Sequence, residues 1–200
     1  MIVVRGEDPG PFSRHREYVT YLQIVFNYRC AYCLTPDSRL GGLEAMKVEH
    51  LRPASRHPHL KLAWINLYYS CDVCNNRKSD HPRANEEEQG RQFVDICQED
   101  PDNHFQLALD FATGDYCIVT HLTEAARYTI YRLHFNRRPF LRDFWREIQA
   151  SERRTLGRLE SAEVLRNQIG AADPEASLLI ADLEQELHRI RGLRPFPLAG

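Results

Sequence analysis

The chain has 200 residues, 42% hydrophobic and 27% charged, with a formal net charge of −2. That is room for one good core with accessories, and no apolar run approaches the roughly 20 residues that span a bilayer. With no signal-peptide pattern at the start, a cytoplasmic protein with reduced thiols is expected, and the charge balance excludes a globally basic nucleic-acid binder.

Residues 1 to 11 are polar with two prolines and predict an extended arm. From Phe12 to Tyr28 the apolar positions Tyr18, Tyr21, Leu22, Val25 and Phe26 recur at helical spacing, with Ser13 as the candidate cap. Thr35 to Gly42 predicts a loop. Ala45 to Leu51 alternates in part and predicts a strand; Arg52 to Ala63, with two prolines and two histidines, reads as irregular. Trp64 to Ser70 predicts a second extended run. Glu86 to Gln89 is acidic and expected on the surface. Phe105 to Phe111 and Tyr116 to Thr120 alternate around a Thr-Gly-Asp turn, which predicts a β-hairpin. Thr123 is a good N-cap, with Glu124 in the first turn of a helix to about Phe135.

The last sixty residues predict two amphipathic helices. Leu141, Phe144, Trp145, Ile148, Leu156, Leu159 and Ala162 form one stripe. Gly170 to Asp173 breaks it, and Asp173-Pro174 opens a second stripe through Ala176, Leu179, Ile180, Leu183, Leu187 and Ile190. A short turn between them predicts an antiparallel hairpin that covers the core or offers a face to a partner. The arginines from 127 to 158 number nine against three acids, a local charge of +6. A solvated helix face and a phosphate-binding face are both compatible with this. Arg137 and Arg138 of this cluster, with Arg52 and Arg77, are the candidate nucleic-acid contacts.

Cys30-Ala-Tyr-Cys33 and Cys71-Asp-Val-Cys74 are the chemistry-bearing feature. Each C-x-x-C sets two sulfurs on one metal, and two such knuckles complete a four-thiolate structural zinc site. Cys97 and Cys117 read as small buried hydrophobes. Four thiolates leave no open coordination position, so catalysis has to come from what the zinc encloses: Glu49, His50, Asn66 and Asn75. A neutral imidazole can take a proton from water at cellular pH, and a carboxylate with an amide carbonyl offers hard oxygens to a divalent cation. Neighbouring strand residues point to opposite faces, so Glu49 and His50 serve one site only if the strand ends or bends there.

Cys-x-x-Cys, Val48-Glu49-His50-Leu51-Arg52-Pro53, Trp64-Ile65-Asn66-Leu67, Ser70-Cys71-x-x-Cys74-Asn75 and Lys78-Ser79-Asp80 follow in this order from about Tyr28 to Asp80. The arrangement resembles the HNH endonucleases. The resemblance implies a ββα-metal core and a DNA endonuclease leaving a 5′-phosphate and a 3′-hydroxyl. His50 would be the general base and Glu49 and Asn75 the ligands of a catalytic Mg2+ or Mn2+. Asn66 would brace the loop that orients His50, and Lys78 would reach a phosphate. The stretch from Glu124 to Arg138, after the hairpin, is similar to the HNH nucleases of bacterial defence systems, which work beside an ATPase partner.

The expected fold class is α+β, mostly helical: an HNH core with a four-cysteine zinc, an added β-hairpin and a C-terminal helical hairpin. The expected division is an N-terminal arm and helix (1–28), the nuclease core (29–82), a hairpin and helix (83–140) and a helical hairpin suited to partner docking (141–200). Double-stranded DNA is the expected substrate. A non-catalytic zinc module that binds nucleic acid or protein, and an HNH nuclease acting on RNA or single strands, are the competing readings.

Overall fold

The computed structural model describes residues 2–169 and 173–199. The chain is a mixed α+β protein with two small antiparallel sheets. The first sheet pairs β1 (Met46–His50) with β2 (Leu67–Cys71) in the register Met46↔Cys71 to His50↔Leu67. Chain then passes directly into helix α2 (Asp72–Lys78), so two strands and a helix form one unit. Cys71 caps α2, its sulfur accepting from the Cys74 amide at 3.4 Å, while Asp72 in the first turn and Arg77 and Lys78 in the last suit the helix dipole. β2 is buried at every residue, and its outward neighbour is the first cysteine knuckle, where Ala31 N donates to Tyr69 O at 2.7 Å. The second strand starts later than Trp64: residues Trp64–Asn66 form a 3-10 turn because they close the loop from β1.

Ahead of this unit, a 3-10 turn (His15–Tyr18) leads into α1 (Val19–Val25). Ser13 is not the cap. The Glu17 carboxylate accepts from the Arg14 amide at 2.8 Å, and the Ser13 hydroxyl merely donates to the same carboxylate. The arm is tied down by Arg5, whose guanidinium donates to Trp64 O and Leu67 O and lies over Phe26, Trp64 and Tyr68. Trp64, Tyr68 and Tyr69 are buried in the core.

Helix α3 (Ala84–Glu88) leaves Glu88 and Gln89 exposed, as expected, but turns Glu86 inward. Glu86 is only 4% exposed and accepts from the Arg83 amide, the Tyr128 hydroxyl and Arg132, with His81 Nδ1 at 2.7 Å. These bonds pull its carboxyl down to about 2 against the opposing effect of burial. Strands β3 (Phe105–Asp110) and β4 (Asp115–His121) form the expected hairpin, and Gly114 takes φ +74 in its turn, where a side chain would be strained. Thr123 caps α4 (Glu124–Leu133) by accepting from Ala126 N. α4 stops two residues before Phe135, because His134 is left-handed and Phe135–Arg137 continue as a 3-10 turn.

Helices α5 (Pro139–Ile169) and α6 (Pro174–Gly192) pack antiparallel. Glu152 meets Arg191 and Arg194, Arg158 meets Glu186, and Ala162 lies with Ile180 and Leu183. Asp173 caps α6 by accepting from Ala176 N. The expected break at Gly170 to Asp173 lies, apart from Asp173, outside the described residues. One buried cluster runs from Tyr18 through the first sheet, β3, β4 and the start of α5 to Phe196. Cys117 is fully buried, and Cys97 is partly buried against the same cluster. Among the described residues, no helix is long and apolar enough to cross a membrane.

Candidate metal centre and active site

Cys30, Cys33, Cys71 and Cys74 are buried, and their sulfurs lie within 4.8 Å of one another. A Zn–S bond of about 2.3 Å sets tetrahedral sulfurs about 3.8 Å apart, so the cluster is close to the size a zinc ion needs. Backbone donors already point at it: Cys71 N is 3.4 Å from Cys30 Sγ and Cys74 N is 3.4 Å from Cys71 Sγ. Burial pushes the Cys30 and Cys74 thiols well up, whereas hydrogen bonds from neighbouring thiols pull Cys33 and Cys71 down. This donor set fits zinc and leaves it no open position.

Arg138, expected at a nucleic-acid surface, is instead 7% exposed, and its Nη1 donates to Cys74 Sγ at 3.1 Å. Burial lowers its guanidinium, but the neighbouring sulfurs of Cys74, Cys33 and Cys71 outweigh that and raise it above its ordinary value. A Zn2+ ion with four thiolates carries a net −2, which is costly to bury without a countercharge. Arg138 supplies one, from the turn just before α5.

His50 ends β1 and is half-exposed. Its Nε2 lies 2.9 Å from the Lys61 carbonyl. A carbonyl only accepts, so Nε2 carries the proton and Nδ1 is left as the lone-pair nitrogen. The loop that presents Lys61 is held by Asn66, which is 3% exposed. Its Nδ2 donates to Arg52 O and Leu60 O, and its Oδ1 accepts from Arg52 N at 2.8 Å. The side chain therefore ties the loop's entry to the residue before Lys61.

Glu49 turns the other way from His50. It is 6% exposed, with Oε1 2.7 Å from Lys78 Nζ. Burial raises the Glu49 carboxyl and lowers the Lys78 amine, while their mutual attraction opposes both shifts. Lys78 is fully buried, donates also to His50 O at 2.7 Å and lies over Phe93. It does not reach out to a phosphate. The end of α2 turns it inward, where it neutralises Glu49 and pins the backbone of His50. Asn75 is half-buried at the outer edge of β1, and its side chain makes no hydrogen bond among the described residues. A carboxylate and an amide carbonyl are hard oxygen donors of the kind Mg2+ or Mn2+ takes, although the Lys78 ammonium now occupies the carboxylate and would compete with such an ion.

Residues 30–81 match the family model of the HNH endonucleases. This segment is an HNH domain. Over 82 residues the chain is 32% identical to the Septu protein PtuB of Bacillus thuringiensis. That match covers 40% of this chain and 29% of PtuB, so the chain corresponds to less than a third of this relative's length. No solved structure matches the chain. The HNH domain contains both knuckles, the β1–β2–α2 unit and the loop braced by Asn66, so every candidate site residue except Arg137 and Arg138 falls within it.

Outside the HNH domain the arginine-rich stretch proves less basic than its sequence. Arg127 pairs with Glu124, Arg132 with Glu86, Arg142 and Arg146 with Asp110, Arg153 with Asp115 and Arg158 with Glu186. Only Arg137 and Arg154 of the nine keep an unengaged charge among the described residues. Arg52 is exposed and makes no ion pair among the described residues, and Arg77 lies against His134. Of the loop histidines, His57 meets Glu87 and His59 is exposed. The residue missed from sequence is His15, whose ring sits 5.3 Å from that of His50. Nothing near it in the chain marks it out, since the contact joins the N-terminal segment to the end of β1.

Proposed function

We propose that the protein is a metal-dependent endonuclease of the HNH kind. The observation that carries this reading is the state of His50: its Nε2 is committed to Lys61 O, its Nδ1 has no hydrogen-bond partner among the described residues, and its loop is fixed by Asn66. An imidazole held this way is prepared to take a proton from an attacking water through Nδ1. Glu49 and Asn75 are the residues that would hold a Mg2+ or Mn2+ ion, for which the Glu49 carboxylate, here paired with Lys78 and facing away from His50, would have to turn to the ion; a divalent ion there would supply Lewis-acid stabilisation of the phosphate and leaving oxygen. Lys78 opposes the burial that raises the Glu49 carboxyl and fixes the His50 backbone. Zinc at the four cysteines holds the base of the unit together. Arg52, Arg77 and Arg137 are the remaining candidates for backbone phosphate contacts along DNA.

The likeness to PtuB supports a role in a bacterial defence system, with an ATPase as partner and the C-terminal helices as the docking surface. The competing reading is a zinc module that binds nucleic acid or protein without cutting, in which the free Nδ1 of His50 would have no task.

The test is plasmid cleavage by the purified chain, as wild type and His50→Ala, in EDTA, magnesium or manganese. Metal-dependent nicking or linearisation that is lost in the variant is expected. A folded, zinc-loaded wild type that cuts neither duplex nor single strands in any of these ions, with or without its partner ATPase, would remove the nuclease reading in favour of the binding module.

A further inference from the structure

Among the described residues β1 pairs only with β2, which leaves its other edge without a strand. Along that edge runs a cleft of about 320 Å³, bounded by His15 and Arg16 from the N-terminal segment, Lys47 of β1 and Asn75 of α2, with Val19 and Met46 among its apolar lining. His15 and Arg16 precede the HNH domain, so this half of the cleft is contributed by chain outside the matched segment. His15 stands edge-on to His50, and the permanent charges acting on it, Arg16 and Lys61, are both cationic. Arg16 and Lys61 are exposed and make no ion pair among the described residues. Lys47 is partly balanced by Asp72 at 3.4 Å. The Glu49 carboxylate beside His50 is taken up by Lys78, so Arg16 and Lys61 are left without an acid partner among the described residues, in contrast to the acid-paired arginines of α4 and α5. Clustered unpaired cations beside a cleft with apolar walls favour an anionic ligand, and backbone phosphates are bound through such local charge rather than net charge.

We propose that this cleft binds a phosphodiester of the nucleic-acid strand, with Arg16 and Lys61 giving the countercharge and His15 a ring N–H donor next to His50. The inference rests on the nuclease reading of His50 and assigns that site's substrate contacts to the N-terminal segment. It predicts that the HNH domain is incomplete for substrate binding without residues 15 and 16.

The test is fluorescence anisotropy of a labelled DNA duplex, and of one of its strands, with calcium replacing magnesium. Wild type is compared with an Arg16→Ala/Lys61→Ala double variant and an Arg154→Ala/Arg189→Ala double variant that removes two exposed charges from the helical hairpin. Zinc content and thermal melting serve as fold controls. The first pair should weaken binding about tenfold or more in dilute salt and lower the slope of log affinity against log salt by nearly two, at about 0.9 per lost phosphate contact on duplex. The second pair should stay within about twofold. Equal losses in both, no loss in the first, or a wild type that binds neither probe in dilute salt would overturn the assignment. A second measurement, cleavage in magnesium, separates the two claims. Binding that falls as expected while wild type never cuts would leave the cleft standing and remove the nuclease. Cutting by wild type with an unaffected first pair would do the reverse.

Discussion

Replacing Arg138 with Met tests whether the C-terminal half of the chain is part of the metal centre. Methionine keeps most of the length and apolar contact of the arginine stem but removes both the charge and the N–H to Cys74 Sγ, a bond of 3.1 Å at a site only 7% exposed. A hydrogen bond from a charged donor is worth about 1.5–3 kcal/mol, and loss of an outer-shell partner of a metal ligand typically costs about 10–100-fold in affinity, or about 1.4–2.7 kcal/mol. The two independent ranges agree at about 2 kcal/mol. The assay is competition for zinc between the folded protein and a chromogenic chelator, followed with melting of the zinc-loaded forms. Arg138→Met should bind zinc about 10–100-fold more weakly and melt about 4–8 °C lower, at about 2–4 °C per kcal/mol for a chain of this size. Arg138→Lys should fall between, since it restores charge without the planar fork. Zinc affinity and melting unchanged in the methionine variant would refute the countercharge argument, and would mean the cysteine cluster is satisfied by its backbone donors alone.

The Glu86 network makes a prediction about pH. Its carboxyl is held at about 2 against an ordinary 4.5, so its stabilisation is complete above about pH 5 and is lost as pH falls towards 2. That shift corresponds to about 3 kcal/mol, so Glu86→Gln should be less stable than wild type by about that amount at pH 7, with the gap narrowing by pH 3. A gap in urea unfolding that stays constant across this range would contradict the ion-pair account. Asn66→Ala leaves Arg52 N, Arg52 O and Leu60 O without their partner and frees the loop that holds Lys61. It should cost about 2–3 kcal/mol of stability and slow cleavage at least tenfold while zinc stays bound; full activity in the alanine variant would show that His50 needs no such brace.

What was legible in the sequence is what neighbouring residues decide. The two C-x-x-C knuckles, the Thr123 cap, the turn at Gly114 and the Asp173-Pro174 start each depend on a few adjacent positions, and the structure has all of them. The HNH motif gave the order of the site residues but not their directions. Strand alternation sends Glu49 inward and His50 outward, and only the packing of α2 against β1 shows that Lys78 fills the space beside Glu49. The meaning of Arg138 was hidden because its partner lies 64 residues earlier, where a basic run reads as a surface. His15 and Arg5 were hidden for the same reason: each acts through a segment that sequence spacing gives no cause to place beside it. Buried Glu86 looked exposed because a run of three acids suggests water, yet a single α-helical turn faces Glu88 outward, Glu87 towards Arg56 and His57, and Glu86 into a network of donors.

The claim at the centre of this account is that the free Nδ1 of His50 takes the proton from the attacking water, and chemical rescue tests it most directly. Single-turnover cleavage of an end-labelled DNA duplex would be measured in magnesium for wild type and for His50→Gly, with and without added imidazole, after both are shown to be folded and zinc-loaded. The account predicts a loss of about 10²–10⁴-fold in the glycine variant, part of which returns with imidazole and none of which returns with salt of equal ionic strength. A folded His50→Gly protein that cuts at the wild-type rate would contradict it.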